Sequence, residues 1–169
     1  MCDCNHSIMY VPQGNEWGSK TWYILHTLSA KAGRQTNPIF QSDEMMAWQQ
    51  VLLRTGNVLP CQECKTHYGD WLKARITQVK LFLKMPYAEQ AMYVQRWFFD
   101  LHNDVNQRHS KPIMEFDIFQ KMYRDASIGA SIDELTAILK LYTQVSGYIL
   151  SPVQYSEWKN YILTIKSFS

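Results

Sequence analysis

The longest helical pattern in this sequence runs from Tyr87 to Arg108 and contains neither glycine nor proline. An apolar side chain recurs at every fourth position, which is the spacing of one face of an α-helix. Lys111-Pro112 ends the pattern, because proline cannot continue a helix. A helix of this length needs partners for its apolar stripe, so the segment predicts a helical bundle. The stripe consists of Tyr93, Trp97, Leu101 and Val105.

Six further segments carry their own start and stop signals for helices. Asn15 caps the first predicted helix, over about residues 16–32, and Gly33 ends it. Asn37-Pro38 then breaks the chain. The later helices are expected from Ser42-Asp43-Glu44 to the Gly56-Asn57 stop, from Cys61 to about Lys73, over residues 116–125, from the Ser131–Glu134 capping box to Leu150, and after the Ser151-Pro152 cap.

Residues 76–86 have a different pattern from the predicted helices around them. Val79, Leu81 and Leu83 alternate along the chain, which is the period of an extended segment. Pro86 follows at once and restricts the backbone before it. We therefore predict a connector here rather than a helix.

Composition favours an all-α fold and argues against several classes of function. Hydrophobic residues make up 46% of the chain, and seven glycines and six prolines are too few for a typical all-β or disordered chain. A net charge of +2 gives no basic footprint for nucleic acid. No apolar stretch is long enough to span a bilayer. The polar start of the chain lacks the apolar centre of a signal peptide, so we expect no classical secretion.

The four cysteines fall in two close pairs, which stabilise a fold little because they close very small loops. Cys61 and Cys64 stand three residues apart after Pro60, where a loop becomes a predicted helix. Their sulfurs can form a redox-active disulfide, bind a metal, or be two buried thiols. At a helix N-terminus the backbone N–H groups and the macrodipole favour the thiolate, which is the reactive form.

A zinc site is the competing interpretation of this pair. His67 follows Cys64 at a ligand-like spacing, and the chain start supplies further ligands that could complete the site: Cys2, Cys4 and His6. Sites of this kind usually hold together small loop-rich domains, whereas this chain has enough apolar residues for a core of its own. We therefore expect no metal.

Cys2 and Cys4 form the second pair, on an N-terminal arm that we expect to be flexible. A disulfide that spans one residue is strained, and it is therefore more oxidising than a structural bond. Such a bond suits a shuttle that relays electrons from substrate thiols. The alternative is a terminal thiol pair without a function.

His102, Asn103 and Asn106 place several hydrogen-bonding groups on a half-apolar face of the predicted helix over 87–108. Buried polar groups need partners, and a planar heterocyclic ligand would supply them. Lys111, just past the helix end, would meet a phosphate of such a ligand. The alternative is that these are ordinary polar side chains facing solvent.

Trp22 and His26 lie one turn apart on the first predicted helix and share a face. They are either contacts to the same ligand or ordinary core residues. The pattern of the helix alone leaves both readings open.

Together these residues resemble the Erv/ALR family of FAD-dependent sulfhydryl oxidases. Three motifs carry the resemblance, in the order and at the separations of the family, and they cover about residues 15–125. The motifs are Trp17-Gly18-x-x-x-Trp22-x-x-Leu25-His26-Thr27, then Leu59-Pro60-Cys61-x-x-Cys64-x-x-His67-Tyr68, then Trp97-x-x-x-Leu101-His102-Asn103-x-Val105-Asn106-x-Arg108-x-x-Lys111-Pro112.

The resemblance implies an all-α fold, in which residues 15–125 form a four-helix bundle with a short fifth helix, usually as a homodimer. Residues 1–14 are then a flexible arm that carries Cys2 and Cys4 as shuttle candidates. Residues 126–169 are a C-terminal helical extension, which serves a dimer, binds a partner or adds packing.

The resemblance also implies the roles of individual residues. Cys61 and Cys64 form the catalytic disulfide beside FAD, with Cys64 nearer the flavin and Cys61 exchanging with incoming thiols. Tyr123 stands where members of the family have an aromatic residue near the cofactor. The residues implied to bind FAD are Gly18, Trp22, His26, His102, Asn103, Val105, Asn106 and Lys111.

The chain departs from many members of the family at a structural cysteine pair. Phe99 and Phe116 stand at the corresponding positions, so both partners are missing together. We expect the two rings to bridge the same gap by packing. This departure makes the chain more similar to the viral branch of the family than to the mitochondrial one.

The resemblance implies an enzyme that forms disulfide bonds in client proteins and passes the electrons through FAD to O2, giving H2O2. Its expected partners are thiol-containing proteins, and its expected location is the cytoplasm or, for a viral protein, the virion. The competing function is a zinc-stabilised helical interaction module without enzymatic activity.

Overall fold

The computed structural model describes residues 12–144 and 149–169, apart from the side chain of Asn15. Within these ranges the chain forms α-helices and two short 3₁₀ helices, Thr55–Val58 and Phe82–Lys84, and no β-strand. The fold is therefore all-α, as predicted. The helices are α1 (Gly14–Lys31), α2 (Pro38–Arg54), α3 (Gln62–Leu81), α4 (Tyr87–Arg108), α5 (Phe116–Tyr123), α6 (Gly129–Tyr142) and α7 (Pro152–Ser167).

Helix α4 has the bounds that its sequence pattern predicts, from Tyr87 to Arg108. Trp97 and Leu101 are buried in the middle of its apolar stripe, while Val105 and Tyr93 are partly buried at its two ends. Helix α1 packs against α4, α5 and α6, and α2 packs against α3, α4 and α7. Helix α4 therefore packs against both α1 and α2. None of the described helices is both long and apolar enough to cross a membrane.

The start of α1 corrects the predicted cap at Asn15. The helix begins at Gly14, and Gln13 occupies the N-cap position. The Glu16 carboxylate accepts a hydrogen bond from the backbone N–H of Gln13 at 2.5 Å, which satisfies a donor at the helix start. Gly33 follows the last turn with φ +90°, as its predicted role as a helix stop requires.

Helix α2 begins at Pro38, and the predicted start at Ser42 is wrong. Asn37 caps the helix, because its side-chain oxygen accepts a hydrogen bond from the Ile39 N–H at 2.8 Å. Pro38 fits the first turn, where its missing N–H is not needed. Asn37-Pro38 is therefore a helix start and not only a break in the chain.

Helix α3 continues to Leu81, so the predicted connector over residues 76–86 is wrong. Val79 and Phe82 lie one turn apart and are fully buried, which explains why the segment stays helical. Their carbonyl groups accept hydrogen bonds from the side-chain amides of Gln49 and Gln90. These bonds satisfy the end of the helix, where carbonyl groups have no partner within the helix itself.

Helices α5 and α7 lie where the sequence predicts them, and Ser151 caps α7 through the Gln154 N–H. Helix α6 is different, because it starts at Gly129 and ends at Tyr142 instead of Leu150. The predicted capping box fails because Ser131 lies within the first turn of the helix, and the Glu134 carboxylate forms an ion pair with Lys20 of α1 instead. The side chain thus joins two helices rather than closing its own first turn.

Helices α6 and α7 bury side chains in the same core as α1 to α4. Trp158 of α7 is fully buried, and its Nε1–H donates a hydrogen bond to the Thr55 hydroxyl at 3.1 Å. Ile132 and Leu135 of α6 are also buried in this cluster. The C-terminal helices therefore complete the core of the bundle.

A second, smaller core confirms the expected contact between Phe99 and Phe116. Their ring centroids lie 5.1 Å apart, edge to face, and Phe119 packs against both rings. The Arg96 guanidinium lies 3.7 Å from the centre of the Phe116 ring. Aromatic packing thus ties α4 to α5 at the positions of the missing cysteine pair.

Candidate functional site

Cys61 and Cys64 are joined by a disulfide at the N-terminus of α3. Cys61 is the N-cap residue, with an extended backbone, and its Cα lies 5.1 Å from that of Cys64. The backbone N–H of Cys64 donates a hydrogen bond to the Cys61 sulfur at 3.2 Å. Leu59 and Pro60 lead into the helix from the 3₁₀ turn before it. The disulfide therefore sits in the electropositive first turn of a helix.

A cavity of about 660 Å³ opens beside this disulfide. Its volume falls within the range of about 300–1,000 Å³ that is usual for ligand pockets. Five of the predicted site residues lie in its wall, and these five are Gly18, Trp22, Cys61, Cys64 and Val105. Leu25, Leu101 and His67 line it as well, so α1, α3 and α4 all contribute. The sequence motifs are thus brought to one site.

The indole of Trp22 is backed by two histidines. The Trp22 and His102 ring centroids lie 4.2 Å apart, with their planes at 4°. His102 Nδ1 lies 2.7 Å from His26 Nε2, which is hydrogen-bond distance. Tyr123 lies behind His26, with a centroid distance of 5.0 Å. The predicted residues of α1 and α4 therefore form one layer of parallel and tilted rings behind the cavity wall.

Both histidines of this layer are uncharged at neutral pH. Burial, and to a smaller degree the neighbouring His102, lowers the pKa of His26 to about 3. Burial, followed by the charge of Lys111, lowers the pKa of His102 to about 4. One shared hydrogen therefore joins the two rings, and within the described residues Nδ1 of His26 has no hydrogen-bond partner.

Asn103 and Asn106 hold the loop that follows α4. The Asn103 amide donates to the Met114 carbonyl at 2.9 Å and accepts from the Met114 N–H at 3.0 Å. The Asn106 amide donates to the Pro112 carbonyl at 3.2 Å. Neither residue belongs to the cavity wall, and nor does Lys111, whose backbone N–H donates to the Asn106 carbonyl at 2.8 Å. The two amides thus fix the position of Lys111, close to His102.

His67 makes a contact that the sequence motifs do not indicate. Its Nε2 lies 2.6 Å from Asp104 Oδ2, and the same oxygen accepts a hydrogen bond from Arg108 Nε at 2.8 Å. Burial alone would raise the pKa of Asp104, but Arg108 and His67 together lower it. The only signal in the sequence is the spacing of Asp104 and Arg108, one turn apart on a helix.

The geometry does not favour the zinc interpretation. The sulfurs of Cys61 and Cys64 are bonded to each other, and His67 is bonded to Asp104. Across residues 12–144 and 149–169, no group of three or more His, Cys, Asp and Glu side chains is placed to hold a metal ion. Cys2, Cys4 and His6, which the zinc interpretation and the shuttle both invoke, lie outside the described residues.

Comparison with known proteins gives the same family as the motifs. The family model described as "Erv1 / Alr family" matches residues 19–124. The mitochondrial FAD-linked sulfhydryl oxidase erv1 of Schizosaccharomyces pombe is 25% identical over 126 residues, which cover 70% of this chain and 63% of that protein. The FAD-linked sulfhydryl oxidase ERV1 of rice is 30% identical over 98 residues, which cover 58% of this chain and 44% of that protein.

A viral relative is covered more completely. The FAD-linked sulfhydryl oxidase of African swine fever virus is 28% identical over 116 residues, which cover 65% of this chain and 82% of that protein. The chain thus spans less than two thirds of the yeast and rice relatives and most of the viral one. No solved structure matches the chain significantly. Because the family model covers more than half of its residues, this chain belongs to the Erv1/Alr family.

Proposed function

We propose that this chain is an FAD-dependent sulfhydryl oxidase that forms disulfide bonds in client proteins. The observation that carries the proposal is the Cys61–Cys64 disulfide in the wall of a cavity whose other walls carry the family motifs. The names of the yeast, rice and viral relatives support the same activity. The electrons removed from the client would reach dioxygen and yield hydrogen peroxide.

The residues around the cavity fit a flat heterocyclic cofactor. The wall combines the Trp22 indole with Leu25, Leu101 and Val105, which suits an apolar ring system. The two histidines behind Trp22 are neutral, so they place no charge against such a ring. Nδ1 of His26 is a buried polar atom that the described residues leave without a partner. These features support FAD as the cofactor of this chain.

We assign the binding of FAD to two groups of residues. Gly18, Trp22 and Val105 would contact it from the cavity wall, with His26 and His102 keeping Trp22 in place. Asn103 and Asn106 would act through the loop that they hold, which presents Lys111 to a phosphate. Bound FAD would supply the acceptor for the electron pair and the reaction with dioxygen.

The chain itself performs the thiol–disulfide exchange. A client thiolate attacks the Cys61 sulfur, the bond between the two sulfurs breaks, and Cys64 leaves as a thiolate with the electron pair. The second client thiol then attacks the mixed disulfide and releases Cys61, so that the client gains one disulfide and the cysteine pair gains two electrons and two protons. The N–H of Cys64 and the first turn of α3 hold the Cys61 sulfur in position.

Cys2 and Cys4 are proposed as the shuttle pair between client proteins and Cys61. The proposal rests on their spacing, because a bond across one residue is labile and easily exchanged. It predicts that Cys2→Ser with Cys4→Ser slows oxidation of a protein dithiol more than oxidation of a small dithiol. Equal effects on both substrates would remove the shuttle role.

We also propose the kind of client, the location and the oligomeric state of the chain. We propose a client made in the cytosol, where the reducing poise opposes disulfides and makes a dedicated oxidase useful. A homodimer follows from the family resemblance alone. Sedimentation of the purified protein tests it directly.

Removing either cysteine of the pair tests the proposed function. We expect Cys61→Ala and Cys64→Ala each to abolish dithiol-dependent oxygen consumption while the protein keeps its FAD. Cys2→Ser serves as the control for loss of a cysteine outside the pair, with a small dithiol as substrate. Substantial turnover by either alanine variant would refute the assignment of this disulfide.

A further inference from the structure

We propose that His67, oriented by Asp104, accepts the proton of the Cys64 thiol when the Cys61–Cys64 disulfide is reduced. The inference rests on the proposed function, because it assumes that this pair cycles between disulfide and dithiol. It gives a chemical role to the contact between α3 and α4 that neither the cavity wall nor the cofactor accounts for.

The position of His67 on its helix brings it close to Cys64. The two residues are three apart on α3, and side chains at this spacing are neighbours, with about 5–6 Å between their Cβ atoms. Both line the same cavity. The His67 side chain is 14% exposed, so it is shielded from bulk water but open to the cavity. The imidazole and the sulfur are therefore neighbours on one face of α3 and open to the same cavity.

The contact with Asp104 fixes which nitrogen of His67 is free. Arg108 and His67 lower the pKa of Asp104 against the effect of its burial, so its side chain is a carboxylate that can only accept hydrogen bonds. Nε2 of His67 therefore carries the hydrogen in the 2.6 Å contact. In the neutral ring this leaves the lone pair on Nδ1, which has no hydrogen-bond partner in the described part of the chain.

This arrangement is that of a base held by a carboxylate beside a nucleophile. Reduction of the disulfide by a client dithiol delivers two electrons and two protons to the cysteine pair. The proton of the Cys64 thiol would move to His67 Nδ1, leaving the electron pair on the sulfur as a thiolate beside an imidazolium. The thiolate is the form that gives up electrons, so the transfer prepares Cys64 for reoxidation.

Other charged side chains line the same cavity, and their effects on the Cys64 thiolate must be distinguished from the effect of His67. On α3 these are Glu63 and Asp70, whose carboxylates disfavour a nearby thiolate. On α4 Asp104 contacts His67, and Arg108 and the C-cap residue His109 lie in the cavity wall. The His109 side chain has no hydrogen bond within the described residues and so lacks an orienting carboxylate. It provides a matched control, because it is an imidazole in the same cavity.

The test is a titration of the Cys64 thiolate in a chain where it is the last cysteine. The background is the cofactor-loaded variant Cys2→Ser, Cys4→Ser, Cys61→Ser, and the thiolate is followed by its ultraviolet absorbance. We expect His67→Gln to raise the midpoint of the titration by at least about one pH unit, a tenfold change in proton affinity. Asp104→Asn should raise it in the same direction by less, and His109→Gln should leave it unchanged.

One measurement and two further variants guard the result against a structural explanation. Circular dichroism checks that each variant keeps its helices. Asp104→Asn, which keeps the imidazole of His67 but removes its carboxylate partner, is the second variant if His67→Gln proves unstable. Arg108→Gln separates the guanidinium from the imidazole, because it removes a cation from the cavity while leaving His67 beside Asp104. Two outcomes would overturn the proposal. One is an equal shift of the midpoint in Arg108→Gln and in His67→Gln. The other is an unchanged midpoint in both His67→Gln and Asp104→Asn.

The titration and the oxidase assay can fail separately. An unchanged midpoint in an enzyme that consumes oxygen would reject the role of His67 and leave the proposed function standing. A shifted midpoint in a chain that never oxidises dithiols would reject the oxidase and support His67 as the proton acceptor of this thiol.

Discussion

The rings of Trp22 and His102 lie parallel, with their planes at 4° and their centroids 4.2 Å apart. The two residues are 80 positions apart in the sequence, on α1 and α4. Trp22 faces the cavity, and His102 packs behind it. This contact joins the cavity wall to the core. We therefore expect a substitution of either ring to change the binding of the cofactor.

Replacement of Trp22 should weaken the binding of FAD. Aromatic pairs contribute about 0.5–1.5 kcal/mol beyond the area they bury, so we expect Trp22→Ala to raise the dissociation constant of FAD by at least about twofold and up to about tenfold. Trp22→Phe should retain most of the affinity, since it keeps an aromatic ring in the wall. Flavin titration of the apoprotein, followed by fluorescence, measures both values. An alanine variant that binds FAD as tightly as the original chain would place the cofactor elsewhere.

The His26–His102 pair should make stability depend on pH. The folded pKa values of about 3 and about 4 lie below the ordinary histidine pKa of 6.5, so between these values the unfolded chain binds more protons than the folded chain. Stability from this pair is therefore complete above about pH 6.5 and is lost as the pH falls toward 4 and 3.

In this pH window each histidine should change the free energy of unfolding by up to about 1.4 kcal/mol per pH unit. Urea unfolding at several pH values, with His26→Gln as the comparison, isolates one histidine, because the carboxylates titrate alike in both proteins. We expect the loss of stability on acidification to be shallower in the variant. Parallel curves would mean that His26 is charged in the folded chain.

Gly33 should tolerate no side chain. Its φ of +90° is unfavourable for other residues, and a Cβ there would lie 2.5 Å from the Cβ of Ala91. We expect Gly33→Ala to lower the free energy of unfolding by more than about 2 kcal/mol. The control is Gly69→Ala within α3, where a Cβ meets nothing within 4 Å and should add about 0.5–1 kcal/mol. Chemical denaturation compares the two, and a neutral Gly33→Ala would contradict the close approach of the turn after α1 to Ala91 of α4.

Trp158 should be needed by the whole bundle and not only by α7. It is fully buried and donates to Thr55, in the turn that precedes the Cys61 loop. We expect Trp158→Ala to destabilise the chain by about 3–5 kcal/mol and Trp158→Phe by much less. For the same reason, deleting residues 127–169 should give an insoluble product. A soluble, yellow deletion variant would show that residues 15–125 fold without the extension.

The sequence predicts an element well where local signals agree. Helix α4 combines an uninterrupted helical period with prolines at both ends, and its bounds are as predicted. The end of α3 is missed because Val79, Leu81 and Leu83 alternate, while burial of Val79 and Phe82 in the core decides the conformation. The start of α6 is missed because the helix begins at Gly129, two residues before the predicted cap at Ser131.

At the site, too, the sequence predicts what local motifs indicate and misses contacts that depend on tertiary packing. The motifs predict that Cys61, Cys64, Trp22 and Val105 come together, and these residues line one cavity. They do not predict that the amide of Asn103 binds Met114, since this depends on the path of the loop. The sequence does not predict the contact of His67 with Asp104, because this contact depends on how α3 packs against α4. No local pattern encodes that packing.

The visible absorbance of the pure protein, before and after a dithiol is added without air, tests the central claim most directly. We predict a yellow protein whose flavin absorbance is bleached by the dithiol and returns when air is admitted. In Cys64→Ala the bleaching by the dithiol should be lost. A colourless protein with stoichiometric zinc, or bound flavin that the dithiol leaves oxidised in the original chain, would contradict the path from thiols through Cys61–Cys64 to FAD.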